Sequence, residues 1–390
     1  FFRNTHPATN LKKVIHTIFE RLSQPNEAGA ALRLSTGFGG GKTHTLIALW
    51  HLANNIRQTT LGTELLAAAG RPREVVVAGI DAQKFGTTVC ANHGTVETHS
   101  LWGELAWQLK GEQGYAAVQA MDDPANVPND SLVRAMLPDI PVLILLDELV
   151  IYMALLDKQA RGAMLSFLSK LMTVVGSRKQ AVLVITDPAA QHAYEEEARE
   201  LGAVTADILA QQEAADRLDD VLGRTMSNYD PIGNETAQVI IRRLFEAVDE
   251  SAADAASAEF HNAYQGINED EANRLPRDAT TLEYAQNIVR CYPFHPRLLI
   301  TAQDRLGALQ DFNKSRGTLR LFARILRDIW EDESDTALIC AGDLDWESER
   351  IQADLLQRLN RDEFRAAVRA DVVRHAGQLD ADFDTDIHRR

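Results

Sequence analysis

Residues 31–47 read Ala-Leu-Arg-Leu-Ser-Thr-Gly-Phe-Gly-Gly-Gly-Lys-Thr-His-Thr-Leu-Ile. A short apolar stretch, Ala31 to Leu34, leads into Gly37, Gly39, Gly40 and Gly41, then Lys42 and Thr43, then an apolar helical run that begins at Leu46. The order predicts a strand, a phosphate-binding loop and a helix. Glycines let backbone N–H groups curl around a β-phosphate, a lysine neutralises β/γ charge, and a threonine hydroxyl reaches Mg²⁺. The helix that follows aims the positive end of its dipole at the same anion. Gly37, Phe38, Gly39, Gly40, Gly41, Lys42, Thr43 and His44 are the candidate nucleotide contacts. The usual spacing, Gly-x-x-x-x-Gly-Lys-Thr, would place its first glycine at position 36; Thr36 stands there, with Gly37 one step later. The plain alternative is a flexible glycine-rich turn before Lys-Thr.

The second signal lies at Pro141-Val-Leu-Ile-Leu-Leu-Asp147-Glu148. An unbroken apolar run of strand length ends in two adjacent carboxylates, which sets both at a strand's C-terminal end. There Asp147 could hold Mg²⁺ through water, and Glu148 could orient and deprotonate an attacking water. Otherwise the two acids merely cap the next helix. Between the two signals, Glu74 to Ile80 is a β-branched strand run ending at Asp81, apolar enough to be buried on both faces. A fourth strand, Ala181 to Thr186 and Asp187, stops at Pro188. One strand between the loop strand and the Asp-Glu strand, and another after it, matches the additional-strand catalytic-glutamate class of P-loop ATPases. In that class a polar residue ending the fourth strand senses the γ-phosphate, so Thr186 and Asp187 are candidates.

The bulk composition narrows the class. A chain of 390 residues can bury a large core and divide into two or more domains, and 45% apolar with 25% charged residues is ordinary for a globular protein. A net charge of −16 argues against a broad phosphate-binding face and against direct nucleic-acid binding. Cys90, Cys291 and Cys340 form no Cys-x-x-Cys pair, so neither a zinc site nor a disulfide framework is indicated, and a reducing compartment fits. With no signal-peptide pattern and no long apolar span, the reading is a cytoplasmic protein with no membrane partner. A start at Phe1-Phe2 and a stop at Arg389-Arg390 suggest a piece of something longer.

The remainder supplies scaffold. Leu11, Val14, Ile15, Ile18 and Leu22 describe a lead-in helix that Asn10 could cap. Residues 98–109 carry Leu101, Leu105 and Leu109 with Trp102 and Trp107 as a core stripe, and 111–140 read as loop with one short helix. A long helix over Leu155 to Val175 precedes the fourth strand. Residues 190–222 are helical and acidic, and a short fifth strand and turn fall within Val221 to Pro231. A helical region opens at Glu235. The Ala/Ser/Asp-rich stretch 250–262 and the polar stretch 264–280 read as a mobile insertion. Pro293-Phe-His-Pro296 is a rigid turn in which His295 is structural. Arg316 and Arg320 sit near the start of a helix, where they oppose its dipole; a γ-phosphate partner would rationalise them, as would plain surface solubility.

In this order, the loop, the Asp147-Glu148 strand, the fourth strand and the later helices resemble the AAA+ superfamily. Gly317-Thr-Leu-Arg320 is similar to the Gly-Asp-x-Arg that opens the sensor-2 helix of the replication-initiator and clamp-loader branches, with Thr318 in place of the Asp. That likeness favours Arg320 over Arg316 as a γ-phosphate contact. More closely, Asn4-Thr-His-Pro7, Thr36 to Thr45, Leu101-Trp-Gly-Glu-Leu-Ala106, Arg242-Arg-Leu-Phe245, Tyr292 to Pro296 and Arg316 to Arg320 resemble one family. It is the large prokaryotic ATPases, long filed as a domain of unknown function, encoded in phage-defence islands beside DNA methyltransferases and helicases. The resemblance spans roughly residues 1–350 and makes Thr36 the family's own variant.

The fold expected is therefore α/β: an AAA+-like core with a central parallel sheet over residues 1–230, an α-helical lid over 231–335, and a helical extension over 336–390. The activity expected is Mg²⁺-dependent ATP hydrolysis between core and lid, driving conformational change in an anti-phage defence complex. Lys42 and the loop amides would hold the phosphates, Thr43 and Asp147 the Mg²⁺, Glu148 the water, and Thr186 with Arg320 the γ-phosphate. The resemblance further implies a homo-oligomer, completed by an arginine such as Arg217, Arg224 or Arg243 from a neighbour, with DNA-modification or helicase partners. Two alternatives stay open: an ATP-locked signalling switch with little turnover, and an initiator-like DNA loader.

Overall fold

Apolar runs too continuous to alternate inside and out become strands covered on both faces, and such runs build the inner strands of the first part of this chain, with the short polar strand Ser227–Tyr229 at one edge. The computed structural model describes residues 1–36, 41–54, 66, 70–86, 88–188, 205–223, 226–233, 235–267, 275, 277–306, 312, 314–334 and 336–383. Two units divide it: Phe1–Arg3 with Pro7–Gly233, and Asn4–His6 with Asn234–Arg390. Among the described residues, no helix is long and apolar enough to cross a membrane.

In the first unit the strands are β1 (Ala30–Thr36), β2 (Val76–Asp81), β3 (Val142–Asp147), β4 (Ala181–Pro188) and β5 (Ser227–Tyr229). They form one parallel sheet in the spatial order β2-β3-β4-β1-β5. Its helices are α1 (Thr9–Ser23), α2 (Lys42–Asn54), α3 (Leu101–Val118), α4 (Asp130–Met136), α5 (Leu149–Leu155), α6 (Lys158–Ser177) and α7 (Thr205–Leu222). The chain leaves β1 through α2 toward β2 at one edge, whereas it leaves β4 through α7 toward β5 at the other. Right-handed crossovers in opposite directions put their helices on opposite faces. The two cores agree: α1 and α2 pack on Leu32, Leu34, Leu145 and Val184, and α3 to α7 pack on Ile80, Ile144, Leu183 and Ile185.

Local chemistry adjusts several element boundaries. The lead-in helix begins at Thr9 behind Ala8 with no side-chain cap, so Asn10 is not its cap. The Asn10 amide instead lies against Gly233, where an added Cβ would come within 2.6 Å of its Nδ2. Ser100 caps α3 by accepting from the Gly103 N–H. That helix breaks at Gly111 (φ 59°, ψ −144°) and resumes to Val118, so the first part of the expected loop is helical. Tyr115 and Val118 continue the buried stripe, which is why the chain turns back into a helix there. The helix expected over Leu155 to Val175 is α6, which starts at Lys158 because Asp157 caps it at the Ala160 N–H, with Leu155 closing the separate helix α5.

The second unit is helical: α8 (Thr236–Leu244), α9 (Glu250–Gln265), α10 (Leu282–Cys291), α11 (Pro296–Ile300), α12 (Lys314–Glu331) and α13 (Glu349–Gln352), the last continuing through wider turns to Gln357. The small-residue stretch at 250–262 forms most of α9. Asp249 caps it at the Ser251 and Ala252 N–H groups, and Ala253, Ala256 and Ser257 turn inward. Small side chains allow close approach to α10, where the Ser257 hydroxyl donates to the Ala285 carbonyl at 2.6 Å. Residues 268–274 and 276 lie outside the described residues. His295 is structural: it is buried, Nδ1 accepts from the Arg297 N–H at 3.2 Å, and Nε2 meets the Tyr264 hydroxyl at 2.9 Å. Burial, with Arg297 nearby, pushes its pKa down to about 4, so it is neutral at pH 7.

Candidate functional site

In an open α/β sheet, ligands bind beyond the carboxyl ends of the strands where connections depart in opposite directions. Here that point lies between β1 and β4, whose in-register pairing runs to Thr36 and Pro188. β1 ends where the glycine-rich loop begins, and the loop returns as α2. Gly37, Phe38, Gly39 and Gly40 fall outside the described residues. Gly41 has φ 73°, a conformation that a side chain disfavours, and an added Cβ would stand 3.1 Å from Ile232. Its carbonyl accepts from the Thr45 N–H at 2.8 Å and the Thr45 hydroxyl at 2.9 Å, which starts the helix. Lys42 is half-buried and Thr43 exposed in the first turn, and the His44 ring stacks on Phe1 with centroids 4.4 Å apart.

The acidic strand end is set by register. Asp81 pairs with Asp147, and Thr186 with Leu34, while Leu146 opposite Ile185 brings Asp147 beside Thr186. Neighbours in a parallel register point to the same face, and Leu34 belongs to the core beneath α1 and α2. Asp81, Asp147 and Thr186 therefore share the face that α2 covers, at the end of the sheet where α2 starts. Asp147 and Thr186 are both buried, and the Thr186 hydroxyl donates to Asp147 Oδ1. That bond orients the carboxylate and leaves its second oxygen for another partner.

Glu148 follows in the left-handed region (φ 53°, ψ 36°). For a residue with a Cβ this costs about 1–2 kcal/mol, and such strain concentrates at functional sites. It occupies the N-cap position of α5, yet its side chain makes no capping hydrogen bond to that helix. Asp147 is engaged by Thr186 instead. Helix capping thus leaves the pair of acids unexplained.

Asp81 was not among the site residues read from sequence. It ends β2 beside Asp147, its Oδ2 lies 3.0 Å from Lys84 Nζ, and its Oδ1 is buried with no hydrogen-bond partner among the described residues. An acid at the end of the second strand was the available signal, but its neighbour became apparent only from strand order. Two carboxylates side by side repel, and oxygen donors of this kind suit a hard cation. Two of the thiols are inert: burial raises Cys90 to about 12 and Cys291 to about 11, which keeps both protonated.

Asp187 belongs to β4, but its side chain, like Arg224, falls outside the described residues. Arg217 on α7 bonds Glu213 at 2.6 Å, and Arg243 is exposed on α8. In the second unit Arg316 is exposed, while Arg320 on α12 gives its Nε to Asp354 Oδ1 at 2.7 Å. Gly317 lets α12 form: a Cβ there would sit 1.6 Å from the Phe312 carbonyl oxygen.

Fold and site together define an open, parallel α/β domain with an acidic strand end beside a glycine-rich loop, followed by a helical unit. The chain belongs to the DUF499 family: the DUF499 N-terminal domain matches residues 1–224 and the DUF499 second domain residues 232–383. No curated protein and no solved structure matches it.

Proposed function

We propose that this chain binds Mg·ATP and hydrolyses it, as a P-loop ATPase of the additional-strand catalytic-glutamate, AAA+-like type. The observation that carries the reading is the strand end itself. Asp147 and Glu148 close β3, which β4 separates from the loop-bearing β1; Asp147 accepts from Thr186, and Glu148 is strained without capping a helix. The order β5-β1-β4-β3-β2 is what the additional-strand class requires. The residues also fit the cation, since Asp81 contributes beside Asp147 a buried oxygen that has no hydrogen-bond partner among the described residues.

In this reading, Lys42 and the amides of the glycine-rich loop hold the β- and γ-phosphates, and Thr43 with Asp147 would hold Mg²⁺. The cation supplies charge neutralisation on the phosphate oxygens. Thr186 keeps Asp147 in one orientation and senses the terminal phosphate. Glu148 takes the proton of the attacking water, its backbone already turned out of the strand. Arg320 as a γ-phosphate contact, homo-oligomerisation, cytoplasmic location and work in an anti-phage defence complex with DNA-modification or helicase partners come from the family resemblance. Titration with a fluorescent ATP analogue, with and without Mg²⁺, tests the reading: wild type should bind and Lys42→Ala should not. Equal binding by both would refute it.

A further inference from the structure

Residues from three stretches singled out in the sequence, His6, Arg242 with Phe245, and Tyr292, line one cleft of about 500 Å³ within the second unit. It opens between α8, the start of α9 and the end of α10. Ile241, Phe245 and Val289 give it apolar surface. Arg242 from α8 and Arg290 from α10 bring positive charge, and Glu250 and Asp254 from the first turns of α9 bring negative charge. Glu246, exposed, adds a third carboxylate, and His6 is bonded to Glu235 at 2.9 Å. Arg242, Arg290, Glu250 and Asp254 differ from these: among the described residues none of the four makes an ion pair, and the Tyr292 hydroxyl makes no hydrogen bond. Arg242 and Tyr292 are half-buried, yet their polar atoms reach solvent, so a ligand can touch them.

Partial burial penalises a charge that has no partner, so a half-buried guanidinium calls for an anion. Here carboxylates line the same cleft without coming within ion-pair distance of either arginine. A simple anion would be repelled by the acids, and a simple cation by the arginines. A molecule that carries both signs on an apolar body satisfies both sets. We propose that this cleft binds a small zwitterion, an apolar dipeptide or a free apolar amino acid. Its carboxylate meets Arg242, Arg290 and the Tyr292 hydroxyl, and its ammonium meets Glu250 and Asp254. The planar fork of a guanidinium matches a carboxylate with two parallel hydrogen bonds, and the phenol supplies another donor. The apolar part of the ligand lies on Ile241, Phe245 and Val289. The volume falls in the range of small-molecule sites, and the site owes nothing to the nucleotide reading of the first unit.

The test is titration calorimetry on the full chain with four probes. Leucyl-phenylalanine and free phenylalanine are the zwitterions; N-acetyl-phenylalanine lacks the ammonium and phenylalaninamide lacks the carboxylate. Wild type should bind a zwitterion with a Kd of about 10 µM to 1 mM, and the tighter of the two tells whether a dipeptide or an amino acid is the occupant. Each singly charged probe should bind roughly tenfold weaker than phenylalanine, the effect of losing one charged hydrogen bond. Arg242→Gln should weaken phenylalanine and N-acetyl-phenylalanine by about tenfold and leave phenylalaninamide unchanged. Asp254→Asn should weaken phenylalanine and phenylalaninamide by about as much and leave N-acetyl-phenylalanine unchanged. Melting temperatures confirm that the variants are folded, with Arg290→Gln and Glu250→Gln as replacements if one is not. No saturable binding of either zwitterion up to about 10 mM overturns the proposal. So does equal binding of all four probes, or wild-type affinity in both variants, because apolar surface alone would then account for it.

Discussion

The acidic strand end of the first unit and the arginine cluster of the second are held by different means. Asp81, Asp147 and Thr186 are set by backbone: three neighbouring strands finish in register, and the pleat turns all three side chains to one face. Arg320 and Arg324 are set by a side chain, the buried Asp354. A site built on strand ends inherits the rigidity of a sheet in which β3 is buried at every residue. A cluster built on an ion pair is as firm as one carboxylate, and removing one partner of a buried pair strands the others. The first arrangement resists substitution at any single position outside the reacting groups; the second can be loosened at one atom.

That contrast can be broken most sharply at the loop. On the proposed reading, Lys42→Ala weakens ATP binding on the order of 100-fold, measured by titration, while the melting temperature stays near wild type. A large loss of stability instead would make Lys42 a structural residue.

A similar dependence on one buried side chain predicts an acid sensitivity in the second unit. His295 is shifted from 6.5 to about 4 by burial and by Arg297. Between those values the unfolded chain binds a proton that the folded one refuses, so the contribution of His295 to stability falls as pH drops from 6.5 to 4 and changes no further below. The loss is on the order of 3 kcal/mol. Hydrogen exchange followed over that window should show α9, α10 and α11 loosening in wild type, with the slope flattened in His295→Gln.

Thr186→Val tests the register-built site from within. It removes the only hydrogen-bond donor the structure gives Asp147 among the described residues, which should cost about 1–3 kcal/mol by urea denaturation and raise the Mg²⁺ needed for nucleotide binding. The smallest effect has the opposite sign. Glu148→Gly relieves the left-handed backbone and should raise stability by about 1 kcal/mol while removing the proposed base, a trade of activity for stability.

The backbone-built region was largely legible in sequence because it is made of contiguous signals. The glycine run, the apolar strand ending in Asp147-Glu148 and the strand ending at Thr186 each declare themselves within ten residues. What could not be read is what the fold brings together from afar. Asp81 gains meaning only beside Asp147, and Asp354 only beside Arg320, because neither lies within a motif. Propensity misled where a tertiary contact overrode it. Asn10 looks like a helix cap but faces Gly233, and the small residues of 250–262 read as a mobile insertion for want of large apolar groups, yet their size is what lets α9 lie against α10.

The central claim is that Glu148 acts on water while Asp147 and Lys42 hold the nucleotide. Glu148→Gln, nearly isosteric and without the basic oxygen, should be compared with wild type for steady-state phosphate release and for retention of labelled ATP after gel filtration, over a range of protein concentrations. The account predicts that turnover falls by about 10²–10⁴-fold while ATP is retained unhydrolysed. Phosphate release by Glu148→Gln at the wild-type rate would contradict it.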